Sequence, residues 1–330
     1  MENQTTVTYF VLLGFSYNPP VQMLLFFTFS LIYMATLLGN MMIMIVIRSN
    51  RNLHSPMYFF LSHLSFLDIC YSSVTVPKLL TNFYGSKLIS YSGCIAQIYF
   101  IFLTGTTEAF ILAAMAFDRY TAICKPMHYV QIMNIVFCRL LVGSAWAISS
   151  LYSMINTLSL LKLVFCGPNI IEHFSCELPS LLALSCMETL LNRIRFFLTA
   201  TTLTGSSFFI ILASYIQIIS TVLKMHSAAA KWKTFSTCSS HLIVVVLFYG
   251  TGIIRHMRPT STSLGIVDEF FSIQYSISTP LLNPIIYSLK TKEVKEAIKK
   301  LIAYKSWYHL ETRPGEEKNL HKTSTKDHGR

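Results

Sequence analysis

Long apolar stretches dominate the chain, and polar residues gather between them. A helix that crosses the hydrocarbon core of a bilayer needs about 20 mostly apolar residues, because each residue rises about 1.5 Å. Seven stretches meet this requirement, at approximately residues 23–47, 57–80, 94–118, 139–161, 196–223, 235–257 and 268–289. The pattern therefore predicts an all-α membrane protein, a seven-transmembrane helix bundle.

A shorter stretch after the seventh span has a different pattern. Within residues 291–302, apolar side chains recur at intervals of three and four, the spacing that lines one face of a helix. They are Val294, Ala297, Ile298 and Leu301, with lysines elsewhere. This spacing predicts a short amphipathic eighth helix on the inner leaflet. The expected organisation is an extracellular amino terminus at 1–22, the bundle at 23–289, helix 8 at 290–304 and a disordered cytoplasmic tail at 305–330.

The composition favours a membrane location. Hydrophobic residues make up 53% of the chain and charged residues 12%, whereas soluble domains carry about 25% charged residues. Charge this sparse cannot cover a water-soluble globule, so much of the apolar surface must contact lipid. The net charge of +11 does not indicate nucleic-acid binding, because no soluble basic domain carries it.

The basic residues divide unevenly between the two sides of the predicted bundle. One side, which includes everything from Lys290 onward, holds nineteen of the 26 Lys and Arg residues. Cytoplasmic loops carry such an excess. We therefore expect a multi-pass protein of the plasma membrane with its amino terminus outside and its carboxyl terminus in the cytosol. The outer segment contains one glycosylation tripeptide, which begins at Asn3.

The eight cysteines divide into two groups. Four are expected outside, at the start of the third span or in the loop after the fourth: Cys94, Cys166, Cys176 and Cys186. They predict disulfides that hold this loop across the mouth of the bundle, although four cysteines allow three pairings. The other four lie in the membrane or near the reducing cytosol and are expected to be free thiols: Cys70, Cys124, Cys138 and Cys238.

Six local motifs occur in order at the predicted helix ends. They are LLGN at 37–40, HSPMYFFLSHLSFLD at 54–68, MAFDRYTAIC at 115–124, SY at 214–215, KTFSTCSSHL at 233–242 and PLLNPIIYSLKTKEV at 280–294. In this combination the chain resembles the olfactory (odorant) receptors, a family of rhodopsin-like (class A) G-protein-coupled receptors. It departs slightly at Phe117, Thr121 and Thr234, where family members usually have Tyr, Val and Ala.

The resemblance implies a receptor and not an enzyme. A small volatile odorant would bind from outside, and the cytosolic end would activate the heterotrimeric olfactory stimulatory G protein and raise cyclic AMP. No cofactor is expected, apart from a structural sodium ion discussed below. Two other functions fit the sequence less well. An intramembrane aspartyl-type protease would use Asp68 and Glu108 as its carboxylate pair, but the sequence motifs that flank protease aspartates are absent. A transporter or channel would show internal repeats or paired interrupted helices, and the sequence shows neither.

Asp118-Arg119-Tyr120 lies at the cytosolic end of the third span. An arginine at this depth costs a few kcal/mol unless it is paired, which makes Asp118 its natural resting partner. The resemblance implies that on activation Arg119 leaves Asp118, meets Tyr215 and contacts the G protein. A plain anchor at the lipid interface remains the alternative.

Asn283-Pro284 interrupts the seventh span. Proline removes one backbone hydrogen bond and so permits a kink near Tyr287. The resemblance implies a hinge that moves with the switch residues, while a static kink explains the sequence equally well.

Two carboxylates, Asp68 and Glu108, lie deep in the predicted bundle. A central acidic residue costs about 2.5–3.5 kcal/mol, so both should point inward. The resemblance suggests a sodium ion or water shared with Asn40 and Asn283. A hydrogen-bond network without an ion is the alternative.

The outer half of the bundle predicts a mostly apolar pocket for a small neutral ligand. The third span has no carboxylate there, which argues against an amine, and the seventh has no lysine for a retinal Schiff base. The candidate ligand contacts are Ile101, Phe102, Gly105, Thr106, Asn156, Thr199, Leu203, Tyr249, Gly252, Ile253, His256 and Ser276. Ordinary helix packing explains each of these positions equally well. His63 and His241 are interpreted as hydrogen-bonded helix residues.

Overall fold

The structure is a computed structural model that describes residues 7–14, 18–166, 168–186, 189–256, 273–290 and 293–300. The predicted tail at 305–330, the tripeptide at Asn3 and the start of the predicted seventh span lie outside these residues.

Long helices account for most of the described chain. The first six spans are α1 (Pro19–Ser49), α2 (Pro56–Tyr84), α3 (Tyr91–Cys124), α5 (Ile135–Leu160), α7 (Leu190–Lys224) and α8 (Ala228–His256). Short helices α4 (Tyr129–Ile132) and α6 (Leu178–Ala183) and 3₁₀ turns at Arg51–Leu53 and Pro126–His128 lie in the connections. The seventh span begins with a π-helical turn, Gln274–Ser278, and continues as α9 (Thr279–Lys290). A last helix, α10, covers 293–300.

Each of the first six predicted spans coincides with a helix that extends beyond the prediction at one end or both, and the described part of the seventh is helical from Gln274. Among the described residues, six helices are long and apolar enough to cross a membrane. The α7 helix begins at Leu190, one and a half turns before the predicted start, and α3 continues to Cys124. Hydropathy detects only the part of a helix that lies in the hydrocarbon layer. It therefore does not predict the polar turns by which a helix extends beyond that layer.

Side-chain caps fix the starts of two spans. The Ser90 hydroxyl accepts a hydrogen bond from the Gly93 backbone N–H at 3.1 Å, at the start of α3. The Asn134 side chain accepts from the Phe137 N–H at 2.9 Å, at the start of α5. The first turn of a helix leaves backbone donors unpaired, and these caps satisfy one donor each.

The third span, α3, is the centre of the bundle, because it packs against α2, α5, α7 and α8. Its inner half is an unbroken buried run from Ile111 to Ala116. By contrast, α1 and α7 expose large apolar side chains, including Leu31 at 72% and Leu223 at 70%. Exposed leucines on this scale are costly in water but suit helices that face lipid.

The amphipathic eighth helix is confirmed in its described part. Val294 and Ala297 are buried against the inner end of the bundle, while Lys295, Lys299 and Lys300 are exposed. The apolar face therefore docks on the bundle, and the charged face points away from it.

A small β-sheet at the opposite end was not predicted. Strand β1 (Tyr9–Leu12) lies between β2 (Leu88–Ser90) and β3 (Ile170–Ile171). It pairs antiparallel with β2, Phe10 opposite Ile89, and parallel with β3, Leu12 opposite Ile171. Phe10 and Leu12 are completely buried. The amino-terminal segment is therefore packed onto the bundle.

Candidate functional site

Two disulfides close the end of the bundle that carries the sheet. Cys94 at the start of α3 pairs with Cys176, and Cys166 pairs with Cys186, with Cα–Cα distances of 5.4 and 5.5 Å. Of the three pairings that the sequence allows, the structure thus has this one. The other four cysteines are free thiols.

Gln97 fastens the same loop to two helices. Its side-chain amide donates to the Val74 carbonyl at 3.0 Å, and its oxygen accepts from the Cys176 backbone N–H at 2.8 Å. Phe174, two residues before Cys176, is completely buried. A covalent bond and a polar bridge therefore hold the loop over the outer half of the bundle.

In the middle of the bundle, Asp68 of α2 meets Asn283 of α9. The Asn283 amide donates to both carboxylate oxygens of Asp68 at 3.0 Å, and both residues are buried. Hydrogen bonds to a carboxylate are stronger than neutral ones, particularly away from water. This contact joins the second span to the seventh at the interrupted turn.

Asn40 of α1 contacts the same turn by a different route. Pro284 lacks a backbone N–H, so the carbonyl of Pro280, four residues earlier, loses its usual helical donor. The Asn40 amide donates to this carbonyl at 3.0 Å. The two helices approach closely here, because a Cβ added at Gly39 would lie 3.2 Å from the Pro284 ring.

Glu108 of α3 is the second buried carboxylate. Its Oε1 has no hydrogen-bond partner among the described residues. The same is true of the side-chain oxygens of Asn40 and Asn283 and of the Tyr287 hydroxyl. Unpaired buried oxygens are unfavourable unless an ion or water completes them.

At the end of the bundle opposite the sheet, Asp118 has two neighbours. The Arg119 Nε lies 3.8 Å from Oδ2, a loose ion pair, while the Tyr129 hydroxyl donates to Oδ1 at 2.8 Å. Burial and the adjacent Asp118 carboxylate raise the pKa of Tyr129. Tyr120 lies beside this group with the Lys125 ammonium 5.7 Å from its ring centre. The stronger contact of Asp118 is therefore with the loop helix α4.

Tyr215 contacts His241, and not Arg119, in this structure. The Tyr215 hydroxyl lies 2.7 Å from His241 Nδ1, and His241 Nε2 lies 3.1 Å from the Leu112 carbonyl oxygen. A carbonyl only accepts, so Nε2 carries the ring proton and Nδ1 accepts from the tyrosine. His241 is completely buried and links α3, α7 and α8.

In the outer half, the predicted contact Phe102 lies among aromatic rings. Its ring centre is 5.7 Å from that of Tyr152 on α5 and 5.4 Å from that of Phe196 on α7. These partners precede two other predicted contacts, Asn156 and Thr199, by about one turn. The structure therefore brings together one predicted residue from each of α3, α5 and α7 as neighbours of an aromatic cluster.

A second group surrounds Tyr249 of α8. Its hydroxyl lies 2.8 Å from Ser207 Oγ on α7, one turn beyond the predicted contact Leu203. A Cβ added at Gly252 would meet no atom within 4 Å, so open space adjoins this turn. Tyr249, Leu203 and Gly252 are thus neighbouring positions on α7 and α8.

The remaining predicted contacts vary in their surroundings. Ile101, Gly105 and Thr106 are partly buried on α3, and Ser276 is buried in the π-helical turn. The Asn156 oxygen has no partner among the described residues, whereas the Thr199 hydroxyl bonds to its own helix at Arg195. Ile253 and His256 belong to α8, but their side chains lie outside what the structure describes.

The sequence did not predict three of these contacts: Tyr129 with Asp118, Ser207 with Tyr249, and His241 with Tyr215. Each of these three residues contacts a side chain on another helix, 11 residues away for Tyr129, 42 for Ser207 and 26 for His241, so no local pattern marks it. The available signal was chemical: His241 and Ser207 are polar residues inside apolar spans, where a polar side chain needs a partner.

Comparisons with known proteins agree with this geometry. A family model described as olfactory receptor matches residues 29–305. Human olfactory receptor 5A1 is 47% identical over 304 residues, which cover 92% of this chain and 96% of the relative. Human olfactory receptor 8S1 is 48% identical over 295 residues, 89% of this chain and 81% of the relative.

A solved structure shows the same architecture. The crystal structure of squid rhodopsin matches with a TM-score of 0.68 and 16% identity, and covers 88% of this chain and 87% of rhodopsin. At this identity the likeness concerns the fold alone, which is the predicted seven-helix bundle. The chain therefore belongs to the olfactory receptor family of G-protein-coupled receptors, multi-pass membrane proteins that act as receptors and not as enzymes.

Proposed function

We propose that this receptor binds a small, mostly apolar, neutral odorant in the outer half of the bundle. We further propose that it then activates the olfactory stimulatory G protein and raises cyclic AMP. The observation that carries the proposal is the His241 linkage, which ties α3, α7 and α8 together below the predicted pocket. A ligand that alters the packing of these helices therefore acts on the switch directly.

The side chains in the outer half favour this ligand chemistry. Phe102, Tyr152 and Phe196 offer aromatic surface, and Tyr249 and Ser207 offer hydroxyl groups. Pockets for small molecules combine such apolar walls with a few polar groups that orient the ligand. A charged ligand would need a counter-ion, and the predicted contacts include no carboxylate.

The proposed response is a shift between two helix arrangements. In the resting one, Tyr129 and Arg119 hold Asp118, and His241 holds Tyr215. In the active one, Arg119 leaves Asp118 and meets Tyr215, with Asn283-Pro284 as the hinge near Tyr287. An odorant shifts the populations only by its difference in affinity for the two arrangements, about 1.4 kcal/mol for each tenfold.

The proposed orientation places the amino terminus outside the plasma membrane, with glycosylation at Asn3, and the carboxyl terminus in the cytosol. Strand β1 lies on the same side as both disulfides, and disulfides persist on the oxidising side of the membrane. The charge asymmetry of the loops has the same direction.

We also propose a sodium ion near the two buried carboxylates. Asp68, Glu108 and the unpartnered oxygens of Asn40 and Asn283 form an all-oxygen donor set, the type that hard cations prefer. Sodium should raise the melting temperature more than potassium at equal ionic strength, and Asp68→Asn and Glu108→Gln should remove the difference. If both salts raised the melting temperature of the wild type equally, the site would be a hydrogen-bond network without a sodium ion.

The function is tested by cyclic AMP measurement in cells that display the receptor, across a panel of neutral odorants. Arg119→Ala should abolish the response, while Arg51→Ala, an exposed arginine of the first 3₁₀ turn, should retain it at equal surface expression. Tyr249→Phe should weaken the odorant potency by about fivefold, since a neutral hydrogen bond contributes about 1 kcal/mol. Full signalling by the Arg119 variant would remove that residue from the mechanism.

A matched tyrosine separates ligand contact from helix packing. Tyr33 of α1 also bonds across helices, with its hydroxyl 3.1 Å from Ser73 Oγ, but it is not a predicted ligand contact. Tyr33→Phe should therefore leave the odorant potency unchanged. Equal losses of odorant potency in Tyr249→Phe and Tyr33→Phe would contradict the assignment of Tyr249 to the ligand pocket.

A further inference from the structure

A cavity of about 310 Å³ lies between the end of α5 and the start of α7. Its apolar side includes Ile155 and Leu158, and its polar side comprises Ser159, Lys162, Asn192 and Arg195. It belongs to the end of the bundle that carries the disulfides. None of these six residues is among the predicted odorant contacts.

The polar side of this cavity is positively charged. Lys162 and Arg195 supply two cations, and no acidic residue lines the cavity within the described chain. The ion pair seen at that end of the protein, between His173 and Glu177, involves other residues. A cavity with two cations and no counter-ion favours an anionic ligand.

Arg195 is incompletely satisfied. One terminal nitrogen donates to Asn192 Oδ1 at 3.1 Å, but its Nε is buried and has no acceptor among the described residues. A buried donor without an acceptor is unfavourable, and a charged one more so. Guanidinium groups bind carboxylate and phosphate oxygens through neighbouring N–H groups.

The apolar side opens toward lipid. Ile155 and Leu158 are 45% and 53% exposed, and both lie on a membrane-spanning helix. Lys162 lies two residues after the end of α5, and Arg195 lies in the second turn of α7, so the cations lie near the membrane–water boundary. Lipid head groups occupy that depth, and alkyl chains extend from it along the helices.

We propose that this cavity binds an amphiphile with a single oxyanion head, a carboxylate or a phosphodiester. The head contacts Arg195 and Lys162, and one alkyl chain lies against Ile155 and Leu158. The volume is at the lower end for a ligand pocket, so it holds the head and the first part of the chain. The ligand is not the proposed odorant, which is neutral and lies inside the bundle.

The test is native mass spectrometry of the full-length detergent-solubilised receptor, titrated separately with three probes. These are decanoate, dioctanoyl phosphatidylglycerol and the neutral control 1-decanol. The wild type should retain one molecule of at least one of the two anionic probes, decanoate or phosphatidylglycerol. It should bind 1-decanol at least tenfold more weakly than that anion. Binding of decanoate alone identifies a fatty acid as the source, and binding of phosphatidylglycerol alone identifies a phospholipid.

Charge-removing variants locate the site. Arg195→Gln and Lys162→Gln should each weaken anion binding by about tenfold, the effect of losing one charge-assisted contact. Arg193→Gln is the matched control, because Arg193 is an exposed cation on the same turn that does not line the cavity. Lys162 is exposed, so its variant remains informative if Arg195→Gln folds poorly.

Three results would overturn the proposal. They are equal affinity for decanoate and 1-decanol, equal losses in Arg193→Gln and the two cavity variants, and retention of neither anion by the wild type. The first comparison requires no variant, so it does not depend on folding of a mutant.

Discussion

The Asn40 side-chain amide donates to the carbonyl oxygen of Pro280 at 3.0 Å. That carbonyl is the acceptor that Pro284 leaves without a helical donor. A kinked helix in lipid must satisfy its freed backbone groups from neighbouring helices, because no bulk water reaches them. The first span therefore supplies what the proline removes from the seventh.

This relationship predicts a dependence between two substitutions. Asn40→Ala should lower the stability of the receptor by about 1–3 kcal/mol, because the Pro280 carbonyl becomes a buried acceptor without a donor. In a Pro284→Ala background, residue 284 regains its backbone N–H, so the same substitution should cost less. Thermal unfolding of the four purified proteins measures this coupling.

Asn52→Ala is a suitable control, because Asn52 is exposed in a 3₁₀ turn and should change stability little in either background. Strictly additive effects of Asn40→Ala and Pro284→Ala would show that the amide does not substitute for the missing donor.

The Tyr215–His241 contact predicts opposite effects of two variants on signalling. His241→Phe keeps a buried ring but removes the acceptor, so Tyr215 becomes available to Arg119 and basal cyclic AMP should rise by about fivefold. Tyr215→Phe removes the hydroxyl itself and should lower the odorant response. Cyclic AMP measured at matched surface expression distinguishes the two.

His63→Phe is the histidine control, because His63 packs against Phe59 on α2, with ring centres 4.8 Å apart, away from the Tyr215 contact. If His63→Phe raised basal signalling as much as His241→Phe, the effect would not belong to the Tyr215 hydrogen bond.

The Tyr129–Asp118 bond predicts a pH-independent stability loss. Tyr129→Phe should cost about 1.5–3 kcal/mol, the range for hydrogen bonds to charged groups. The pKa of Tyr129 is raised above the ordinary tyrosine value near 10 by burial and by Asp118. The protonated donor therefore contributes fully below pH 10, and its contribution falls only as pH rises through the higher folded-state pKa.

Melting temperatures of wild type and Tyr129→Phe at pH 6.5, 7.5 and 8.5 check this expectation, with Val130→Ala, which is 80% exposed in the same short helix, as control. The difference in melting temperature between wild type and Tyr129→Phe should be the same at all three pH values. A difference that disappears between pH 6.5 and 8.5 would contradict a protonated donor.

The Cys94–Cys176 disulfide predicts a larger structural effect than the free thiols. Replacing both cysteines with serine releases the loop from α3 and should cost about 2–5 kcal/mol, the range for a native disulfide. Surface expression and odorant response should fall together. Cys70→Ser, which alters a free thiol on α2, should preserve both, and equal expression of all the variants would count against a stabilising disulfide.

Hydropathy predicted the spans because lipid-facing helices such as α1 are apolar over most of their length. The spacing of Val294 and Ala297 predicted the eighth helix for a similar local reason. The sheet could not be predicted in the same way, because β1 pairs with strands about 80 and 160 residues away and its four residues carry no decisive pattern.

The candidate site shows the same division. Asp118 and Arg119 are adjacent in sequence, so their pairing could be expected, whereas the Tyr129 contact depends on how the next loop folds back. Helical spacing makes Phe102 a candidate ligand contact, but its aromatic neighbours Tyr152 and Phe196 depend on the relative rotation of three helices, which the sequence of one helix does not determine.

The position of β1 makes the segment at 7–14 part of the folding unit. As the central strand, β1 supplies both pairings of the sheet, and its buried Phe10 and Leu12 fill the space between two loops that do not pair with each other. Removing the residues before Pro19 would therefore separate those two loops and expose to water the apolar surface beside the two disulfides that Phe10 and Leu12 cover.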